Sequence, residues 1–318
     1  MKNQFVAIMG ILMLVGGEMP QAQISTTGAD YNKYTPWGDP DLQGIWSYAS
    51  LTPLQRPLRL ENKEFYTAEE AAEINARVKL ERPVRPGDVG DYNVEWFDRG
   101  RVSPNLRTSL IINPPNGRLP LTPETIQQQS DQAAYRREHP ADSWLDRSNW
   151  DRCITYHGVP PISTGYNNTY QIVQNPDFIA IFVENIHDVR LIPLDGRPQL
   201  DDKIRQWNGD SRGYWDGDTL VVETTNFSIN SQHRFPSSFN MRATERFTRT
   251  SDGLIDYEFT IEDPAVYAST WTAVRPMSAL EDYEIFEYAC HEGNYAMTNI
   301  LRGARVLEER AALEAVGN

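Results

Sequence analysis

Five residues carry most of the chemistry available to this chain. They are His187, Asp188 and Arg190 in ENIHDVRLI, Glu223 in DTLVVETTNF, and His291 in YACHEGNY. A histidine moves protons near neutral pH, and a carboxylate shielded from water becomes a general acid or base. In such a set, Glu223 or His291 would donate or abstract a proton while Arg190 steadied an oxyanion or carboxylate. On a strand, side chains alternate, so Asp188 and Arg190 share a face and His187 takes the other with Val189 and Leu191. His187 and Asp188 therefore form a dyad only if the strand starts later or a neighbouring strand completes it. Glu223 shares a face with Val221 and Thr225, either inside a barrel beside apolar groups or on a solvated surface.

A second group has the composition of a binding surface. Tyr166, Asn168 and Tyr170 lie in GYNNTYQ, and Arg212 and Trp215 in SRGYWDG. Rings and amides of this kind line small-molecule pockets, and core packing accounts for them equally well. Asp216 and Asp218 flank Gly217 as a tight turn asks. Five histidines, at 139, 157, 187, 233 and 291, lie far apart with no HxH or HExxH pattern, so no metal is expected. There is no GxSxG elbow, P-loop or dinucleotide fingerprint, and no organic cofactor is expected.

The elements that would position these residues are mostly strands. TYQIVQ (169–174) and FIAIFVE (178–184) flank an Asn-Pro-Asp turn. DVRLIPL (188–194) runs into Asp195-Gly196. Further runs flank Asp216-Gly217 and Asp252-Gly253, and WTAVRPM (271–277) and EIFEYACH (284–291) complete the series. Asp-Gly between alternating runs marks hairpins, because glycine takes positive φ without strain. The spacing predicts an antiparallel meander closed into a barrel or sandwich. Its first strand, Leu42 to Ala49, stands apart from the rest across an insertion at about 51–165. That insertion holds two helices, at 67–82 with a Thr67/Glu70 capping box and at 122–139 with Thr122 as cap and Pro123 in the first turn. A third helix is expected over 295–315.

The 318 residues carry a net charge of −14, which argues against a nucleic-acid partner, since phosphate binding needs a basic face. Lys2, an apolar run from Phe5 to Val15 and small Ala22 have the layout of a signal peptide over 1–22, leaving one domain over 23–318. The apolar run is short for a bilayer span, so no stable membrane insertion is expected and the mature chain is expected to be exported, periplasmic or secreted. In that compartment Cys153 and Cys290 fit one disulfide, with two buried thiols as the alternative.

The Gly44-Ile45-Trp46 of the first strand resembles lipocalin-like proteins, whose tryptophan plugs one end of the barrel. Over nearly the whole chain, PDLQGIW, LTPLQRP, YNNTYQIVQ, IHDVRLIPLDGRP, GDSRGYWDGDTLVVETTNF and YACHEGNY resemble a group of exported proteins of soil and marine bacteria. That resemblance implies export and a shared fold, and transfers no reaction. The fold expected is a mainly β, lipocalin-like antiparallel barrel with a helical insertion and a C-terminal helix. The expected function is cofactor-independent acid/base chemistry, of lyase, hydratase, isomerase or cyclase type, on a small apolar or polycyclic molecule. A non-enzymatic periplasmic small-molecule carrier is the rival, a structural or envelope-associated protein with no enclosed cavity is the third reading, and the sequence leaves the oligomeric state open.

Overall fold

The computed structural model describes residues 33–78 and 97–316; the segment 1–22, expected to be a signal peptide, lies outside the described residues. Eleven strands form an antiparallel, nearly closed barrel. They are β1 (Gly44–Ser47), β2 (Ile111–Asn113), β3 (Thr169–Gln174), β4 (Phe178–Val183), β5 (Asp188–Pro193), β6 (Asp210–Asp216), β7 (Thr219–Thr225), β8 (Arg242–Ser251), β9 (Leu254–Glu262), β10 (Trp271–Val274) and β11 (Met277–Ala279). The order around the wall is β5-β4-β3-β1-β11-β9-β8-β7-β6, with β10 on β9 and β2 on β10. β10 and β11 both run along β9 and are interrupted at Arg275-Pro276, where proline has no N–H to give a ladder.

Two of the three Asp-Gly pairs join hairpins. Gly217, at φ 59°, turns β6 into β7, with Asp216 paired to Thr219. Asp252-Gly253 turns β8 into β9, with Ser251 paired to Leu254. Asp195-Gly196 does not make a hairpin. Arg197 ties back to the Asp195 carboxylate, and the chain then wanders to β6 without a ladder. The first hairpin is set by Asn175, whose Oδ1 accepts from the N–H of Asp177 and of Phe178, both at 2.9 Å.

The barrel's seam lies between β5 and β6, the two ends of the strand order, and side chains close it. Arg190 on β5 donates from Nε to Ser211 Oγ on β6 (2.9 Å), from one terminal nitrogen to Thr224 Oγ1 on β7 (2.7 Å), and pairs with the buried Glu245 on β8. Tyr257 adds a 2.8 Å bond to Glu245. Gly213 lets the strands approach, since a Cβ there would lie 2.8 Å from Ile192 Cγ2 and 2.9 Å from Leu194 Cδ2.

Alternation sends one face of every strand inward, and those side chains fill the interior. Trp46, Tyr170, Phe247, Tyr257, Phe259 and Trp271 are all buried there. Trp46 donates its Nε1–H to Leu42 O (3.0 Å) under the guanidinium of Arg249. The inside is therefore a packed core and not an open calyx.

The helices follow their caps. In α1 (Ala68–Val78), Thr67 N–H donates to Glu70 (2.8 Å) and Glu70 N–H to Thr67 Oγ1 (3.2 Å), a reciprocal capping box. The last residues expected for this helix, 79–82, lie outside the described residues. In α2 (Pro123–Glu138), Thr122 accepts from Thr125 N–H, with proline in the first turn. α3 (Ala296–Val316) starts after Asn294, whose Oδ1 accepts from Ala296 N–H. No described helix is long and apolar enough to cross a membrane.

Residues 284–291 were expected to form the last strand, and here the structure differs. The segment makes no ladder; side chains hold it against the barrel end instead. Tyr283 Oη (2.6 Å) and Phe286 N–H (3.2 Å) donate to the buried Glu184 carboxylate, and Trp150 Nε1–H donates to Tyr288 Oη (3.1 Å). Cys290 is bonded to Cys153, which fixes this strap to the loop preceding β3.

A candidate active-site cleft at the barrel end

β4 ends at Val183 and β5 begins at Asp188, so the chain must reverse over four residues between them. It does so without glycine. Ile186 and His187 adopt φ of 62° and 44°. Positive φ at a β-branched residue is a rare, strained conformation, of order 1–3 kcal/mol, that persists only where its surroundings enforce it. The enforcement is visible: Glu184 is held by Tyr283 and Phe286, and His187 Nδ1 donates to Tyr288 O at 3.1 Å. The strap and its disulfide thus clamp the turn.

The clamped turn forms one wall of a small cleft of about 20 Å³, room for about one water molecule. Thr155 to Val159 form another wall, and Tyr170, Ile181, Val183, Asp188, Arg190 and Asn208 complete the lining. Three polar side chains stand out within it. Asp188, on the inner face of β5, accepts a hydrogen bond from the Asn208 side chain. Burial raises its carboxyl above the usual range, against the lowering effect of that bond and of the Val189 N–H. Asn185 is 2 % exposed, and neither its Oδ1 nor its Nδ2 has a partner among the described residues. His157 is buried, and its Nδ1 lies 3.1 Å from Ile162 O. A carbonyl only accepts, so Nδ1 carries the proton and Nε2 is a bare acceptor. That Nε2 has no partner among the described residues. Burial pulls the His157 pKa down to about 3, so the ring is neutral.

Of the residues singled out from the sequence, Asp188, Arg190 and Tyr170 meet in this cleft. Arg190 lines it, but four of its N–H bonds are committed to Ser211, Thr224 and Glu245, so its charge serves the seam and not an oxyanion. His187 sits outside, exposed, holding the strap. Glu223 does not reach the cleft: Thr224 is the residue that points in toward Arg190, and Glu223 takes the opposite face of β7. His291 is exposed in the turn after Cys290, because the strand expected to hold it is absent.

The other expected binding residues build loops. Asn168 spends its amide on Asp98 O (2.9 Å), Thr164 O (3.1 Å) and Thr164 N–H (2.7 Å). Tyr166 packs edge-on to Phe97. Arg212 binds Asp210 (2.6 Å) and Pro198 O (3.0 Å), which ties the loop before β6 to the strand. Trp215 packs against the core.

Sequence reasoning missed Asn185, His157 and Asn208, which lie outside strands where alternation says nothing. The one available signal was an amide and a histidine flanking a strand boundary in ENIHD. Among the described residues no three His, Cys, Asp or Glu side chains converge as metal ligands. The arrangement can exchange a proton through Asp188, and Asn185 and His157 present unpartnered polar atoms beside a space of about one water. No protein-family model, curated protein or solved structure matches the chain, and the cleft's geometry is what bears on its function.

Proposed function

We propose that the protein is an exported enzyme whose Asp188 acts as general acid/base, through a water in the barrel-end cleft, on a small, largely apolar molecule docked at the cleft's mouth. The observation that carries this reading is a carboxyl group desolvated in a cleft, with its cationic neighbour Arg190 already neutralised by Glu245. A raised carboxyl pKa brings acid and base forms closer to neutral pH, where proton transfer is worth about 10²–10⁴ in rate. Hydration, elimination, isomerisation and cyclisation all fit, and none of them routes through a cofactor here. The filled barrel interior leaves no calyx for a polycyclic molecule, which is what a structural or envelope-associated protein would show. Export is supported by the Cys153–Cys290 bond, which belongs in an oxidising compartment.

A carrier function is the second reading, favoured by the unpartnered Asn185 amide, a recognition group with no bearing on proton transfer. Both are tested by incubating the purified protein with a small-molecule extract and following retained and converted species by mass spectrometry. The enzyme reading expects Asp188→Asn to lower conversion about 10²–10⁴-fold while retention persists. Full conversion by Asp188→Asn, or retention with no conversion by either form, overturns it; the second outcome leaves the carrier.

A further inference from the structure

An antiparallel sheet with one face in water alternates apolar and polar residues, whereas an unbroken apolar run marks a strand covered on both faces. β4 reads FIAIFV, a run of the second kind. The barrel covers only its inward side, where Ile179 and Ile181 are buried. On the outward side, Val173 of β3, Ala180 of β4 and Leu191 of β5 lie abreast, and Gln171, Phe182 and Val189 form the next row. No outward residue of these three strands is charged. Val173 is 49 % exposed, Phe178 40 %, Val189 52 % and Leu191 60 %. The wall of β6 to β9 shows what a solvated face of this barrel looks like: it turns Arg212, Asp216, Glu223, Arg246, Asp256 and Glu258 outward.

Size and charge together say what covers the apolar face. Its exposed side chains and their half-buried neighbours present roughly 500 Å² of apolar surface, within the range where the largest patch of a protein is often functional. Set against an identical face, it would remove roughly 1,000 Å² in total from water, the floor for a specific interface. The chain carries a net charge of −14, so two copies repel wherever their charged walls meet. An uncharged face escapes that repulsion, and an apolar face is complementary to itself, as a two-fold dimer requires. The same acidity, with Asp177 exposed in the turn between β3 and β4, disfavours an anionic lipid surface.

We propose that the outward face of β3, β4 and β5 is the interface of a two-fold homodimer, in which the two sheets pack face to face about an axis near Ala180. Sheets packed in this way lie about 10 Å apart with their strands within about 30° of each other. β4 is then covered on both faces, as its apolar run asks.

The whole protein is followed by sedimentation equilibrium from about 1 to 200 μM, in about 50 and 500 mM NaCl. A dimer is expected within that range and is expected to tighten at the higher salt, because salt screens the repulsion between acidic copies and leaves the apolar contact in place. Val173→Glu and Leu191→Glu each set two like charges into the interface without partners, and each is expected to weaken the dimer at least about tenfold. Both positions already meet water, so both variants are expected to keep the parent's circular dichroism and, when dilute, its melting point. Thr250→Glu, on the exposed outward face of β8, is expected to leave the dimer at parental strength. A parent that stays monomeric throughout overturns the proposal. So does a dimer that dissociates at the higher salt, that either Val173→Glu or Leu191→Glu leaves at parental strength, or that Thr250→Glu weakens as much. Vesicles of zwitterionic phosphatidylcholine are the last probe. A monomeric parent that binds them, where Leu191→Glu does not, assigns the face to a lipid surface and overturns the dimer.

Discussion

Two acid-bearing turns of this barrel look alike in the sequence and differ in kind. The turn Asp216-Gly217-Asp218 joins β6 to β7; the turn Glu184 to Asp188 joins β4 to β5. In the first, glycine supplies the positive φ, and each carboxylate stands in solvent with a cation: Arg246 for Asp216 at 2.9 Å, Lys33 for Asp218, which also accepts from Tyr34 Oη at 3.0 Å. In the second, Ile186 and His187 take the positive φ, Asp188 is desolvated with an amide for company, and Asn185 has no partner among the described residues. One turn is locally satisfied and would fold this way almost anywhere. The other is held in place by the strap from Tyr283 to Cys290. The difference teaches that strain and unsatisfied groups, and not acid content, separate a site from a hairpin.

The largest expected effect follows from removing what holds the second turn. Replacing Cys153 and Cys290 by serine opens a loop closed over a separation of 137 residues and should cost about 2–5 kcal/mol in urea unfolding. Amide exchange should quicken at 155–159 and 183–188 and stay unchanged at 214–220. Equal quickening in both turns would erase the distinction between them.

Next in size is the glycine. Gly217 has open space around the position a Cβ would take, so Gly217→Ala is disfavoured by backbone conformation alone, by about 1–2 kcal/mol. That loss should appear in unfolding with amide exchange at 183–188 untouched. A Gly217→Ala protein of parental stability would mean that this turn, too, is shaped from outside.

The smallest effect is the most diagnostic, because its sign differs between the turns. The folded pKa of Asp188 is raised by burial, so the folded state holds that proton more tightly than the unfolded chain. Its contribution to stability is present below the unfolded value and is lost as pH rises through the raised one. The folded pKa of Asp218 is lowered, first by its hydrogen bond from Lys33. Its contribution is present above the unfolded value and is lost as pH falls through the lowered one. Relative to the parent, Asp188→Asn should therefore gain stability between pH 3 and 7, while Asp218→Asn should lose it. Parallel pH profiles for the two variants would contradict the assignment of one as desolvated and the other as solvated.

The legible parts of the sequence were those decided over a few residues. Thr67 and Glu70, Thr122 and Pro123, and Asn175 set their helix ends and turn through bonds to chain within three positions, and the structure shows each of them. Alternation placed Asp188 and Arg190 on one face, and compartment logic favoured the disulfide; His187 falls before the strand, in the turn, where alternation does not apply. The reading of Asp195-Gly196 as a hairpin turn went wrong because the local turn forms, pinned by Arg197, while the next strand, β6, starts only at Asp210 and makes no ladder with β5. Residues 284–291 alternate like a strand, but no neighbouring edge is offered to them, and Glu184 and His187 claim their backbone instead.

What the sequence determined by itself is thus a β-rich chain with defined turns, caps, alternation and two cysteines suited to one bond. Each of these depends on steric and hydrogen-bonding preferences that act over a turn or less. Only the tertiary structure decided that Arg190 belongs to Glu245 across the seam, that Glu223 faces away, and that Asp188, Asn185 and His157 share one cleft. Desolvation and partnership depend on which distant strands and loops arrive at the same place. Asp188 and Asp218 are the same residue type in the sequence, and what differs is the water around them.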